Sequence, residues 1–256
     1  MSSAPPHFTV IPDDSYFSLE HSGQSGRSRL VVLAPDDPYY HLVRDKFIEG
    51  WRHADRPRPP VRAVLKILST NESLNVYKKY RAKVAAEIND RKAKNQGNQK
   101  LLFHGTNRYC RVAENPDKVR ICELSECSLC SIIRHSFNIE KSGNKHSFRR
   151  FGKGIYTTTC SSKADDYSFT GAKKFNWRVM LACRVVVGRP LIRRQDDTEL
   201  TAPPPGYHSA MFQVIGKPGE NLNYHETVVY DDDAIRPAFV VVYGEKQQEE
   251  SSCVVC

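Results

Sequence analysis

Three short segments in the second half of the chain carry side chains able to do chemistry: LFHGT (102–106), FGKGIYTTTCSSKADDY (151–167) and NYHETVVYD (223–231). They supply a His-Gly turn, two tyrosines around a Ser-Lys step, and a glutamate on an apolar strand. Two aromatic faces suit a flat cationic ring. A glycine lets backbone come close to a ligand. A carboxylate on a strand can steady a sugar that turns cationic as its glycosidic bond breaks, more in the transition state than before it. In this order the three segments are equipped to hold a ligand with a flat cationic ring on a sugar and to break the bond between the two. Singly, each has a plainer explanation: a His-Gly turn, a core tyrosine on a strand, a Glu226 that pairs with Lys163 or Arg236. Those explanations give no reason for the order or the neighbours.

The same residues carry a resemblance. Residues 61–106, with an apolar strand, a helix bearing paired tyrosines and a loop into LFHGT, look like the approach to the catalytic domain of the poly(ADP-ribose) polymerases. FGKGIYTTTCSSKADDY resembles that family's GxGIY…SKxxxY block, and NYHETVVYDDDAIRPAFVVVY its glutamate strand, Arg-Pro turn and last strand. The likeness spans roughly residues 60–245, and the ordered His, Tyr, Glu triplet makes it specific. It implies an α+β ADP-ribosyltransferase fold, with two packed, mainly antiparallel sheets forming a split β-barrel-like core flanked by helices.

Carried across position by position, His104 resembles the histidine that bonds the adenosine ribose, and Gly105 the glycine whose backbone grips the nicotinamide carboxamide. Thr106 sits at the usual small hydroxyl position. Tyr156 and Tyr167 look like the rings flanking nicotinamide, with Ser162 and Lys163 as the Ser-Lys step near the ribose and Glu226 as the catalytic glutamate. Ala164 departs from the pattern, because the family usually has a serine there that bonds the carboxamide. One hydrogen bond, worth about 0.5–1.5 kcal/mol net, is then missing unless Ser161, Ser162 or water replaces it.

The resemblance implies an NAD+-dependent ADP-ribosyltransferase that modifies protein side chains or nucleic-acid ends. Retained Glu226 is compatible with chain elongation, while the short connection from Phe137 to Phe151 leaves no room for an autoinhibitory helical domain, and single-unit transfer is expected. The competing expectation is a catalytically weak interaction module on the same fold, stabilised by a Cys-rich loop. RNA 2′-phosphotransfer on a related fold matches the Glu226 strand and the GIY block less well.

The elements that must position these residues follow from periodicity and breakers. Residues 1–29, rich in Ser, Pro, Asp and Gly, read as a flexible arm. A single catalytic domain is expected over 30–245, with a Cys-rich insertion at 107–135, and a flexible tail over 246–256. Strands are expected at 30–34, 61–68, 101–103, 154–157, 178–187, 211–215, 226–230 and 238–243. Helices are expected at 38–53, 74–94 and 162–167, the second presenting Leu74, Val76, Tyr77, Tyr80 and Val84 to the core and a basic face to solvent. Pro190 and the stretch 195–205 suggest an irregular excursion. Many strands and few helices, without βαβ alternation, argue for α+β.

The formal charge of +9 favours anionic partners such as nucleic acid, phosphates or a dinucleotide, but a merely soluble basic surface is preferred over dedicated nucleic-acid binding, since no helix-turn-helix, RNP or finger signature is present. Without a secretory signal or an apolar run long enough to span a bilayer, an intracellular protein, cytoplasmic or nuclear, is expected. Cys110, Cys122, Cys127 and Cys130 form C-x(11)-C-x(4)-C-x(2)-C, able to hold a structural Zn2+ with His135 as a substitute ligand. The spacing is not that of a standard finger, and buried thiols filling a loop core are the slightly preferred reading. The terminal Cys253-Val254-Val255-Cys256 fits a prenylation pattern with an unusual last residue, so membrane tethering depends on Cys253 being lipidated, against a frayed tail.

Overall fold

The computed structural model describes residues 10–20, 29–89, 96–115, 119–141, 149–169, 175–212 and 224–245. Its centre is a five-stranded antiparallel sheet in the order β1-β2-β9-β5-β3, built from β1 (Arg29–Val32), β2 (Val61–Leu68), β9 (Ile235–Tyr243), β5 (Arg178–Val186) and β3 (Gln99–His104). Strands β5 and β9 are buried almost throughout, as the middle of a sheet covered on both faces must be. Val179, Leu181, Cys183 and Val185 do fall in one apolar cluster, as their period of two predicts, while Met180 and Ala182 fill the cluster on the opposite face. Arg236 and Pro237, expected in a turn, lie inside β9, where the pairing with β5 shifts register at the position opposite Pro237. A residue with no N–H is tolerated at such a bulge.

A second sheet runs β4-β8-β7-β6, from β4 (Ile155–Thr157), β8 (Glu226–Val229), β7 (Ser209–Phe212) and β6 (Pro190–Arg193). Its pairs are antiparallel except β6 with β7, which is parallel. The excursion expected from Pro190 is therefore an edge strand, with the proline at its first position, where a missing donor costs least. With mixed helices and two antiparallel-rich sheets, the α+β architecture is the expected one. Among the described residues, a backbone bridge links the two sheets: Phe103, next to the end of β3, pairs with Thr158 just past β4, through reciprocal backbone bonds of 2.8 and 3.0 Å.

Among the described residues, four α-helices cover this frame. In α1 (Pro38–Gly50) the Asp37 side chain accepts from Tyr39 N at 2.7 Å and Pro38 opens the first turn, a good start for a helix. It stops at Gly50, short of the expected His53, where Trp51 turns to extended backbone, and a Cβ at Gly50 would lie 2.5 Å from the Thr159 carbonyl oxygen. Helix α2 (Asn71–Glu87), capped by Thr70, also ends early, since Asn89 turns to φ +55°. Leu74, Tyr77 and Val84 are its buried residues, whereas Val76 is 39% exposed, being turned by about 160° from Leu74 at 100° per residue. Lys78, Lys79 and Lys83 face solvent as expected; Arg91, Lys92 and Lys94 lie outside the described residues. An unanticipated helix, α3 (Ser128–His135), is capped by Cys127 and contains Cys130, and α4 (Ser161–Asp165) is the short helix of the Ser-Lys step.

The arm expected over 1–29 is corrected for residues 10–20, which are built into the fold. Phe17 and Leu19 are buried, Ser18 bridges Ser69, and Asp14 meets Arg184 at 2.6 Å and Arg81 at 2.7 Å. Burial pushes the Asp14 carboxyl up, but the Arg184 and Arg81 charges outweigh it and hold it below the ordinary carboxylate value. Arg184, in the central strand β5, is itself almost wholly buried and lies over the Phe17 ring. The tail with Cys253 and Cys256 is outside the described residues, and no helix of the described structure is long and apolar enough to cross a membrane.

Removing one partner of a buried pair leaves the other charge uncompensated. Asp14→Ala is expected to lower unfolding free energy by about 3–5 kcal/mol, read by urea denaturation at neutral pH. A loss below about 1 kcal/mol, the level of a surface pair, would show that Arg184 is not held by this carboxylate.

Candidate active site

A cleft of about 1160 Å³ opens where the two sheets meet. His104, Gly105, Thr106, Tyr156, Lys163, Ala164, Tyr167 and Glu226 all line it, so residues from all three sequence segments converge there.

His104 is the last residue of β3, and the bridge beside it sets its neighbour. Its Nδ1 lies 2.8 Å from the Tyr156 carbonyl oxygen. A carbonyl only accepts, so Nδ1 carries the proton and Nε2 is left as an acceptor. Burial holds the imidazole below its ordinary pKa, opposed by that hydrogen bond. The Phe137 ring meets the imidazole edge-to-face at 5.0 Å.

Gly105 has a structural reason for lacking a side chain that the sequence did not reveal. A Cβ there would sit 1.8 Å from the Ala164 carbonyl oxygen and 2.9 Å from Tyr167 Cβ. The glycine thus lets α4 pack directly on the turn. Thr106 is buried just beyond it.

Helix α4 is only five residues long and is held from several sides. Ser161 Oγ donates to the Phe47 carbonyl at 2.6 Å, and Ser162 Oγ accepts the Arg52 and His53 backbone N–H groups at 3.0 and 3.2 Å. Asp165 is buried, accepts from the Tyr243 hydroxyl at 2.5 Å and meets Arg178 at 2.9 Å. Burial raises the Asp165 pKa, with Tyr243 and Arg178 pulling the other way. These anchors correct one expectation. Ser162 does not line the cleft, and the hydroxyls of Ser161 and Ser162 are both engaged with the α1 side, so neither replaces the serine missing at Ala164.

Tyr156 is fixed by its hydroxyl, which donates to the Gly152 carbonyl and accepts from Phe151 N, each at 2.9 Å; burial pushes its pKa up to about 12. Tyr167, just past α4, is 42% exposed on the cleft. Glu226 opens β8 and is 8% exposed. Its Oε1 lies 2.8 Å from Lys163 Nζ and its Oε2 3.4 Å from Arg150 Nε, and Oε2 has no hydrogen-bond partner among the described residues. Arg236, the other cation weighed as a partner, is turned to the carbonyls of Ser73 and Asp232 and to Asp233.

Sequence reasoning missed Arg150, which also lies 4.3 Å over the Phe212 ring and 2.6 Å from Asp196. Its signal was available: a basic pair directly before Phe151-Gly152. It also missed α3, whose Ser128, Ser131, Ile132 and His135 line the cleft, although Leu129, Ile132 and Ile133 stand at helical spacing.

Behind that wall the Cys110, Cys122, Cys127 and Cys130 sulfurs all lie within 4.8 Å of one another, a group able to hold a metal ion. All four are free thiols, and His135 is exposed on the cleft side. Bonds from Cys110 and Cys130 push the Cys127 thiol down, and the Cys110 thiol is pushed up to about 12 by its bond with Cys127.

Two expectations follow. Gly105→Ala must displace α4 and cost about 1–3 kcal/mol as overpacking does, seen as a drop in Tm together with lost order around Lys163; unchanged stability would mean the turn and helix are not in contact. His104, buried neutral, binds fewer protons folded than unfolded. Its contribution to stability is therefore fully present above about pH 6.5 and is lost as pH falls below it. NMR titration should find its pKa under that value with Nδ1 protonated, and an imidazole that charges above pH 7 would overturn the assignment.

Comparison with known families matches residues 125–215 to the poly(ADP-ribose) polymerase catalytic domain, and no curated protein matches the chain. The matched residues contain α3, Tyr156, Lys163 and Tyr167, while His104 and Glu226 lie outside the match, one before it and one after it. With the α+β two-sheet architecture, this match is consistent with a poly(ADP-ribose) polymerase-like ADP-ribosyltransferase catalytic domain, the family that the sequence resembled.

Proposed function

We propose that this chain is an NAD+-dependent ADP-ribosyltransferase that breaks the nicotinamide–ribose bond and passes single ADP-ribose units to a protein or nucleic-acid acceptor. The family match supports ADP-ribosyltransferase activity in general. The observation that carries the finer reading is Glu226, nearly buried, 2.8 Å from Lys163 and on the same cleft as His104, Tyr156 and Tyr167.

In this mechanism the neutral Nε2 of His104 accepts a hydroxyl of the adenosine ribose, and the Gly105 backbone meets the carboxamide. Tyr156, its ring fixed at both ends of the hydroxyl bond, and the more exposed Tyr167 offer aromatic faces to the pyridinium. Glu226 accepts a hydroxyl of the nicotinamide ribose. As the C1′–N bond breaks, its electron pair leaves with nicotinamide, and the carboxylate stabilises the growing positive charge on the ribose. Lys163 holds the carboxylate in line before substrate arrives. The acceptor then donates its lone pair to C1′ from the opposite face, with inversion, and gives up its proton. The exposed Lys78, Lys79 and Lys83 and a net charge of +9 support an acidic or nucleic-acid acceptor.

A weak, non-enzymatic NAD-fold module is the second reading, favoured by Ala164 and by two neighbouring serines whose hydroxyls are already engaged. Loss of that one bond weakens carboxamide binding by about 0.5–1.5 kcal/mol, which slows turnover at low NAD+ without abolishing it.

Incubation with labelled NAD+ separates the two. Transfer and nicotinamide release are expected from the wild type, and Glu226→Gln should lower both by about 10²–10³-fold with an unaltered fold. A folded wild type that releases no nicotinamide supports the module, and a Glu226→Gln variant of full activity removes the carboxylate from the mechanism.

A further inference from the structure

We infer that Cys110, Cys122, Cys127 and Cys130 bind one Zn2+, and that this ion fixes α3 as the cleft wall that presses on His104. The geometry of the sulfurs is the first ground. Zinc holds four thiolates tetrahedrally at ~2.3 Å, which puts neighbouring sulfurs about 3.8 Å apart. The Cys110 and Cys130 sulfurs are 3.5 Å apart, those of Cys110 and Cys127 3.8 Å, and all four lie within 4.8 Å. Disulfide sulfurs are about 2.05 Å apart, so the cluster is spaced for a shared ion.

The surroundings of the sulfurs are the second ground. Tyr109 N donates to Cys127 Sγ at 3.5 Å and Val112 N to Cys110 Sγ at 3.4 Å, the outer-shell bonds that orient thiolate ligands. Four thiolates around a divalent ion leave excess negative charge, and the fully buried Arg108 interacts electrostatically with Cys110 and Cys127. Its guanidinium also holds the loop, donating to the Val112 carbonyl at 2.8 Å and meeting Glu114 at 3.0 Å. All-thiolate donors select zinc over the hard cations. The preference for plain core thiols, drawn from spacing alone, is thereby reversed.

The role follows from what the cluster ties together. Cys110 lies in the connection after the His104-Gly105 turn, while Cys127 caps α3 and Cys130 belongs to it. Leu129 N donates to the Asn107 carbonyl at 3.0 Å, so the start of α3 is fastened just past the turn. One helix length on, about 12 Å for eight residues, Phe137 meets the His104 ring. A knot at one end of α3 therefore sets the ring contact at the other.

The test uses the full chain purified from zinc-supplemented culture. Metal analysis should find one zinc per chain, and replacement by Co2+ should give thiolate charge-transfer and tetrahedral ligand-field bands. Cys122→Ser and Cys130→Ser should lose the metal while Cys160→Ala keeps it; where a variant fails to fold, the cobalt spectrum of the wild type stands in its place. Chelation of the zinc should shift the His104 imidazole resonances, and restored zinc should return them. A chain with no zinc and a cobalt spectrum lacking thiolate bands would overturn the site, as would iron with acid-labile sulfide. Bound zinc whose removal leaves His104 unmoved would overturn the positioning role. None of these readouts needs NAD+ turnover, so a failed transferase assay leaves the zinc proposal standing.

Discussion

The structure depends on one backbone contact, the pair of hydrogen bonds between Phe103 and Thr158 that joins the two sheets. Each sheet by itself presents its chemical groups to nothing. Once spliced, the end of β3 delivers His104 to the side of Tyr156, and the imidazole proton is used on the tyrosine's own carbonyl. The Thr157 and Thr158 hydroxyls then bond the Thr227 and His225 carbonyls at 2.9 and 2.6 Å, which fixes β4 on β8 and so sets Tyr156 relative to Glu226. Position propagates from backbone to side chain with few adjustable torsions, as a site built on strands requires.

The remaining side of the cleft is made by α4, which is too short to be stable from helix propensity. Its order comes from the Ser161, Ser162 and Asp165 contacts with α1, the loop after it, and the central sheet. This explains an apparent extravagance of the Ser-Lys segment. Ser161, Ser162 and Asp165 face away from the cleft and fasten the backbone, while Lys163, Asp166 and Tyr167 line it. The same packing demands Gly105, whose missing Cβ leaves room for the Ala164 carbonyl.

Much of the site was legible because its residues stand in short local patterns: a His-Gly at a strand end, tyrosines around Ser-Lys, a glutamate heading a β-branched run. Strand β2 was found at its exact bounds, and β5 and β9 within a few residues, since apolar runs between Gly, Pro and Asp clusters survive tertiary context. What escaped was non-local. Nothing in the sequence pairs Asp14 with Arg184, 170 positions away, and a Ser/Pro/Asp-rich stretch reads as an arm until that partner is seen. The parallel pairing of β6 with β7 is likewise a decision of the whole fold. Ser162 was misplaced because periodicity cannot tell which side of a one-turn helix meets its neighbour, and α3 was hidden by attention to its cysteines.

The Asp14–Arg184 contact has a consequence for how the molecule is made. Synthesis proceeds from the N-terminus, and a domain generally folds as a unit. Here the aromatic plug of Phe17 and its acid leave the ribosome early, yet the arginine that receives them arrives 170 residues later. Until then the segment has Ser69 and Arg81 as partners, but Asp14 lacks its second arginine and this face of β5 has no lid. Closure of this layer therefore waits for Arg184 of β5, which is translated 170 residues after the acid that closes it.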